Sequence, residues 1–382
     1  MNRRNFIKIL GTSAVVVAAT PMLAGKFGDS EPLKLRDGHE SNDIRKRLLS
    51  YALLCPNAHN TQPWKVALLG GNTIRLFVDE QRLLPQTDPV HRQIHVSQGT
   101  FIESLVIAAS QFGIRADVTY FPEGEYDNQS LENLPVADVV LTPDPSISPD
   151  PLFSQLAIRR SIKTQYQNET LPKNDLSILA DLVKDTDFEL RFIDQESQKQ
   201  QMADYLVRAM EIEESNNKRS LETISMFRFS EEEFAKYRDG FGLEQNGVSG
   251  VKKWLAESFF LSRESAEKDP ASFGKEGIKT TKNAVKGTQH YAWLSTKDNT
   301  RETQVKLGRL YNRFNLMTTA LGIAQHPMSQ ILQEYQDMLP LQSEFKQYFG
   351  VESSHTVQML FRLGRAKPTP LTPRREVSDL IG

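Results

Sequence analysis

Residues 55–78 read CPNAHNTQPWKVALLGGNTIRLFV, and their pattern decides the architecture. Trp64–Leu69 and Thr73–Val78 are short apolar runs on either side of Gly70-Gly71-Asn72, which predicts an antiparallel hairpin. Upstream, Ser41-Asn42-Asp43 offers an N-cap, and Ile44, Leu48 and Ala52 follow at i, i+4, i+8. That spacing predicts an amphipathic helix stopping before Pro56. Downstream, Gly99–Phe112 is strongly apolar and predicts a buried helix, with Gly113 at the C-terminal cap. Strands are expected at Ala116–Phe121 and Val136–Leu141. Thr142–Pro151 holds four prolines in ten residues and marks a junction between two halves.

The second half is expected to begin with a helix ending near Arg160, then a helix over about Lys173–Val183 and a strand at Phe188–Ile193. Residues 196–290 are charged and helical in pattern, with turn signals at Asp239-Gly240 and Gly247–Gly250, and nothing there alternates like a strand. A long helix over Arg301–Leu321 ends near Gly322, and Thr356–Leu363 reads as the last strand. Helices mixed with hairpins predict an α+β fold rather than a doubly wound parallel sheet. No GxGxxG follows a strand and no GxxxxGK[ST] occurs, so dinucleotide and P-loop sites lack support.

Composition sets the outer bounds. The 382 residues are 39% hydrophobic and 25% charged, which suits a globular protein of two or three units with a sizeable core. A net charge of −2 provides no basic field for nucleic acid, which is not an expected partner. A single cysteine, Cys55, excludes an internal disulfide and a Cys-rich zinc site. Residues 1–26 combine a basic start with an apolar, small-residue run, the layout of an export segment. Arg3-Arg4-Asn5-Phe6-Ile7-Lys8 resembles the twin-arginine signal; an ordinary secretory signal or an uncleaved anchor has the same layout. Removing this segment takes the net charge from −2 to −6 through loss of Arg3, Arg4, Lys8 and Lys26. The protein is therefore expected to be exported by the twin-arginine translocase, to be periplasmic or anchored on the outer face of the inner membrane, and to acquire its cofactor before export.

Two segments carry candidate chemistry. In Pro56-Asn57-Ala58-His59-Asn60-Thr61-Gln62-Pro63, the amides of Asn57, Asn60 and Gln62 can read the alternating edge of a pyrimidine-like ring, with prolines fixing the backbone. An Asx-rich turn satisfying its own backbone explains the same residues. In Arg159-Arg160-Ser161-Ile162-Lys163, three cations and a hydroxyl could hold a dianionic phosphate. A solvated basic helix end explains these equally.

Together the two segments resemble the nitroreductase-like FMN flavoproteins. The resemblance implies that Arg159, Arg160, Ser161 and Lys163 clamp the FMN phosphate and that Pro56, Asn57, Ala58, Asn60 and Gln62 border the ring. The loop lies in the first half and the clamp in the second, each half lacking what the other has. That resembles the fused, single-chain Acg-type branch, and implies two pseudo-symmetric halves like an intertwined homodimer. The halves are residues 41–145 and 151–382, with 196–290 inserted as a helical lid. Gly99–Gly113 and Gly308–Gly322 would be the core helices facing each other across the dimer-like axis. Ala320–Gln330 resembles the turn whose backbone N–H groups, at Met328, Ser329 and Gln330, approach flavin N5 and O4. Thr372-Pro373-Arg374-Arg375 resembles the basic arm returning to the phosphate. Asn57 and Ala58 stand where small serines are usual, and Lys163 where Arg is common.

Other features take plain readings. His91 and His95 lack the acidic residue of a zinc motif, so no metal site is expected. His326 packs or caps, Cys55 is a small buried residue, and Glu231-Glu232-Glu233 is a solvated helix start. The expected function is that of an exported FMN oxidoreductase passing electrons or hydride through flavin N5 to a small acceptor, nitroaromatics and quinones being usual in the resembled family. No catalytic side chain is required, and a membrane quinol or another protein replaces the cytoplasmic nicotinamide donor. A non-catalytic FMN-binding or storage protein, its flavin sealed by residues 196–290, is the alternative, and a binding protein that has lost FMN a weaker third.

Overall fold

The computed structural model describes residues 41–259 and 261–382. The leader expected over residues 1–26 lies outside the described residues. Among those described, no helix is long and apolar enough to cross a membrane.

The first half runs α1 (Ile44–Ala52), β1 (Trp64–Leu69), β2 (Thr73–Val78), α2 (Arg92–Gln111), β3 (Ile114–Tyr120) and β4 (Ala137–Pro143). Asp43 caps α1 by accepting from the Arg45 N–H at 3.0 Å. The hairpin pairs in the expected register, Trp64 opposite Val78 and Leu69 opposite Thr73. All pairs are antiparallel, in the order β1-β2-β4-β3.

The second half repeats this plan: α3 (Lys173–Asp181), β5 (Glu189–Ile193), β6 (His290–Thr296), α10 (Arg301–Ala320), β7 (Ala324–Pro327), α11 (Leu339–Phe349) and β8 (Thr356–Gly364). Its antiparallel sheet runs β5-β6-β8-β7, the same order as the first. Where the first half turns at Gly70-Gly71-Asn72, the second inserts six helices between β5 and β6. They are α4 (Glu196–Glu214), α5 (Asn217–Met226), α6 (Glu231–Tyr237), α7 (Gly250–Phe259), α8 (Arg263–Lys268) and α9 (Pro270–Val285).

The halves meet where α2 crosses α10. A Cβ on Gly99 would lie 1.9 Å from the Val305 carbonyl oxygen, and one on Gly308 would lie 2.1 Å from that of Val96. The reciprocity of these contacts is what a twofold-like axis requires. Around the crossing, buried Glu103 accepts from Arg309 Nε at 2.6 Å and Arg313 Nη1 at 2.7 Å, and Asn312 donates to Ser104 Oγ at 2.9 Å. The C-terminal tail then returns to the first half, Val66 N–H donating to Leu380 O at 2.7 Å beside edge strand β1.

Three expectations need correction. The helix ending near Arg160 is only a short 3-10 turn, Phe153–Gln155. The chain must extend there because Ile162 N–H donates to Gln325 O at 3.0 Å, drawing the segment against β7. Strand β6 begins within the stretch read as free of strands. Ala292 and Leu294 pack with α10, while Tyr291 and Trp293 pack with α4 and α11, so both faces are buried and no alternation survives. Finally, α2 begins at Arg92, seven residues early, because its polar first turns are buried between the halves.

Candidate functional site

A cavity of about 240 Å³ lies at the seam of the halves. Asn57 builds the first-half wall: its Oδ1 accepts from Gln62 N–H at 2.9 Å and its Nδ2 donates to Cys55 O at 3.3 Å, closing the loop on itself. His59, Asn60 and Gln62 have φ of 48°, 55° and 54°, left-handed values that cost side-chain-bearing residues about 1 kcal/mol or more each. Such strain persists only where surroundings hold it. Asn60 Nδ2 donates to Gly240 O at 3.0 Å and Pro373 O at 3.1 Å. Gln62 Nε2 donates to Arg238 O at 2.8 Å, and its Oε1 accepts from Arg375 N–H at 2.7 Å. The loop is therefore pinned by the insertion and the C-terminal arm.

Arginines from the second half form another wall. Arg159 donates from Nε to Asn315 Oδ1 at 2.7 Å and from Nη1 to Leu54 O at 2.9 Å. Arg160 Nη1 donates to Thr369 O at 2.6 Å. Arg374 Nε donates to Leu53 O at 2.6 Å, bringing the arm to the same cavity. Among the described residues neither Arg159 nor Arg160 forms an ion pair, and burial lowers the pKa of both guanidiniums. Hydrogen bonds to carbonyls orient these cations without neutralising them, which is how an anion site is built.

At the other end lie Lys163, His59, His326 and Gln330. Burial pushes the Lys163 ammonium down to about 8, and its Nζ sits 4.1 Å from the Phe241 ring centre. Burial first and Lys163 second lower His59 to about 4. His326 is also held well below its usual value, by burial and then by Arg362 and Lys163, so both imidazoles are neutral at pH 7. His326 Nδ1 accepts from Arg362 Nε at 3.1 Å.

Pro56, Asn57, Ala58, Asn60, Arg159, Arg160, Ser161, Lys163, Ser329, Gln330 and Arg374 all line this cavity. Asn60 of the first half and Arg160 of the second thus share one cavity. The other three expected residues, Gln62, Met328 and Arg375, do not line it. Gln62 is fully buried and fastens lid to arm. Arg375 reaches Asp79 Oδ2 at 3.3 Å, Gln62 O at 3.2 Å and Asp379 O at 2.5 Å, where a carboxylate and carbonyls satisfy it. Met328 uses its N–H on Leu360 O at 2.8 Å and faces a neighbouring cavity. The N–H groups of Ser329 and Gln330 have no acceptor among the described residues.

Sequence reading missed the α2 contribution, Gln93, Val96, Ser97 and Thr100, as well as Tyr311, Phe241 and Glu213. Four buried polar atoms at the cavity lack a partner among the described residues: His59 Nδ1, Asn60 Oδ1, Gln93 Nε2 and the Tyr311 hydroxyl. Donors and acceptors left open beside two unneutralised arginines suit a ligand with a polar body and an anionic tail.

No family model matches the chain. Over 348 residues it is 24% identical to "Putative NAD(P)H nitroreductase Rv3131" of Mycobacterium tuberculosis, covering 88% of this chain and 90% of that protein. Under the same description, acg of that organism is 30% identical over 82 residues, covering 22% of this chain and 24% of that protein. The chain is thus similar, at low identity, to proteins described as putative NAD(P)H nitroreductases. Among solved structures, the FMN-dependent nitroreductase NfnB of Mycobacterium smegmatis is 18% identical, with 59% of this chain and 94% of that one covered and a TM-score of 0.36. The FMN- and NADPH-dependent nitroreductase NfnB of sphigopyxis sp. strain HMH is 12% identical, with 60% and 97% covered and a TM-score of 0.39.

Proposed function

We propose that the seam cavity binds FMN and that the protein is an Acg-like, nitroreductase-like oxidoreductase acting on a small acceptor. The observation that carries this reading is the pair Arg159 and Arg160, turned into a cavity with no carboxylate partner, beside an amide-rich loop from the other half. Arg159, Arg160, Arg374 and Ser161 would hold the phosphate. Asn57, Asn60 and the N–H groups of Ser329 and Gln330 would meet the polar edge of the ring. When bound, FMN supplies one- and two-electron transfer. Lys163 offers a positive charge at the ring end of the cavity, where neutral His59 and His326 leave it unopposed.

The proposal extends to the leader: residues 1–26 route an already folded, cofactor-loaded protein through the twin-arginine translocase. Outside the cytoplasm a quinol or a partner protein is then the electron donor. Sequence features of residues 1–26 support this, and it is tested by fractionating cells that express the chain with Arg3 and Arg4 both replaced by Lys. Export unchanged in that variant overturns it.

The cofactor test is a spectrum. Protein comprising residues 27–382 is expected to purify with a flavin absorbance band, and Arg159→Ala with Arg160→Ala to lose it while keeping its circular dichroism. A colourless wild type that takes up no added FMN, or full retention in the double variant, refutes the reading.

A further inference from the structure

The insertion encloses a second cavity, larger than the first at about 660 Å³, and the two adjoin through His59, Lys163, Glu213, Phe241, His326 and Gln330. Its walls come from α4, α5, α7, α8 and α9, which the first half has no counterpart for. Two features mark this chamber, with Phe241 and Glu213 shared with the seam cavity. Phe227, Phe241 and Phe273 form an aromatic wall, with Phe227 edge-on to Phe241 at 5.7 Å and to Phe273 at 5.6 Å. Glu213 and Glu214, 5% and 7% exposed, bring two carboxyls into it.

Neither carboxyl has an ion-pair partner among the described residues. Glu213 accepts from the Tyr335 hydroxyl at 3.0 Å, and Glu214 from Ser220 Oγ at 2.5 Å. Nearby Arg219 is engaged by Asp337 at 2.7 Å. Burial first and the Glu214 charge second raise Glu213 to about 7, against hydrogen bonds from Tyr335 and Gln330 and the more distant Arg219, and burial raises Glu214 in the same direction. The glycines of α9 make room for Glu214: a Cβ on Gly274 would lie 2.5 Å from its Oε2. Of the other charged groups lining the chamber, Asp269 caps α9 at Ser272 N–H and Glu276 pairs with Lys279 at 3.4 Å. Among the described residues Lys163 is the one lysine or arginine lining the chamber, at the window to the seam with its Nζ over the Phe241 ring, which leaves the faces of Phe227 and Phe273 to a ligand.

We infer that this chamber is a binding site for a flat organic cation, such as an N-alkylated heteroaromatic, held between the phenyl wall and the Glu213 and Glu214 carboxyls. Aromatic faces and buried carboxylates both favour a weakly hydrated cation. The same charge disfavours the phosphates of a nicotinamide dinucleotide, for which no guanidinium is present. The site stands on the chamber alone; its role as the acceptor's place rests on the flavin reading above.

The test uses three redox-inactive bicyclic probes of matched shape: N-methylquinolinium, neutral 1-methylnaphthalene and anionic 1-naphthoate. Binding to the chain of residues 27–382 is measured by calorimetry, with flavin absorbance recorded on the same sample. The cation is expected to bind about tenfold or more tighter than the neutral probe, and the anion weakest. Glu213→Gln with Glu214→Gln should reduce that preference to about threefold or less, and Phe273→Leu should weaken the cation more than the neutral probe. Naphthoate binding as tightly as the cation, or a preference unchanged in the carboxyl variant, overturns the inference. If the carboxyl variant fails to fold, the wild-type ranking and Phe273→Leu decide it. A flavin band with the wrong ranking sinks the chamber alone. The right ranking without flavin sinks only the cofactor reading.

Discussion

Gln62 shows how one amide can hold three parts of a chain together. It is buried without exposure, accepts from the Arg375 N–H and donates to the Arg238 carbonyl, so removing it strands one buried and one half-buried backbone group. Gln62→Ala should therefore cost about 2–3 kcal/mol in urea unfolding, against under about 1 kcal/mol for an exposed amide. The residue type was legible in the sequence as a hydrogen-bonding group fixed by Pro63, but its partners lie 176 and 313 positions away, and no local pattern encodes them. Glu213 makes a second residue-scale case. Its folded pKa of about 7 exceeds the ordinary 4.5, so the folded state holds a proton that the unfolded chain has released between those values. Stability from this group is full below about pH 4.5 and is lost as pH rises through 7. Relative to wild type, Glu213→Gln should gain about 2 kcal/mol between pH 5 and pH 8, read from paired denaturation curves. A pH-independent difference would show that the carboxyl is ordinary.

At the level of elements, the α2–α10 crossing is the tightest joint in the molecule. Gly99 and Gly308 each face a carbonyl oxygen of the other helix, so a methyl group has no flexible neighbour to displace. Gly99→Ala should destabilise by about 3 kcal/mol or more, and Gly308→Ala by a similar amount. Gly70→Ala, with open space around its Cβ position, is the control and should change stability by less than about 1 kcal/mol. Equal effects at all three would mean that the helices can part without cost. These core helices, the first hairpin and the other two strands of the first sheet were legible because apolar periodicity and Gly punctuation survive where one face is buried. His290–Thr296 was not, since HYAWLST is buried on both faces. The start of α2 was hidden for a related reason: Arg92, Gln93, His95, Ser97 and Gln98 look like surface, yet the second half and the loop cover them. Arg92, for instance, donates to Gln358 O and Leu332 O at 2.7 Å each.

For the molecule as a whole, two copies of one sheet plan are tied by chain connectivity and by a C-terminal arm that crosses back. Arg160 reaches the arm at Thr369 O, Arg374 reaches Leu53 O, Arg238 of the insertion pairs with Glu376, and Leu380 accepts from Val66 on the edge of the first sheet. The arm therefore touches the clamp, the amide loop's neighbour, the lid and the first half within residues 369–382. Ending the chain at Pro368 should remove all four ties at once. The expected outcome is loss of the flavin band together with faster proteolysis of residues 196–290, because the turn at Arg238–Gly240 loses its bonds to Arg374 O and Glu376 and is left with those to Phe234, Asn60, Gln62, Arg82 and Arg228. Arg374→Ala separates the two effects: it should weaken flavin retention while leaving the lid protected, since Glu376 and the Arg375 N–H remain in place. If the shortened chain keeps both its flavin and a protease-resistant lid, the arm is an ornament on a site that the two halves close without it. The seam would then have to be explained by the α2–α10 joint alone.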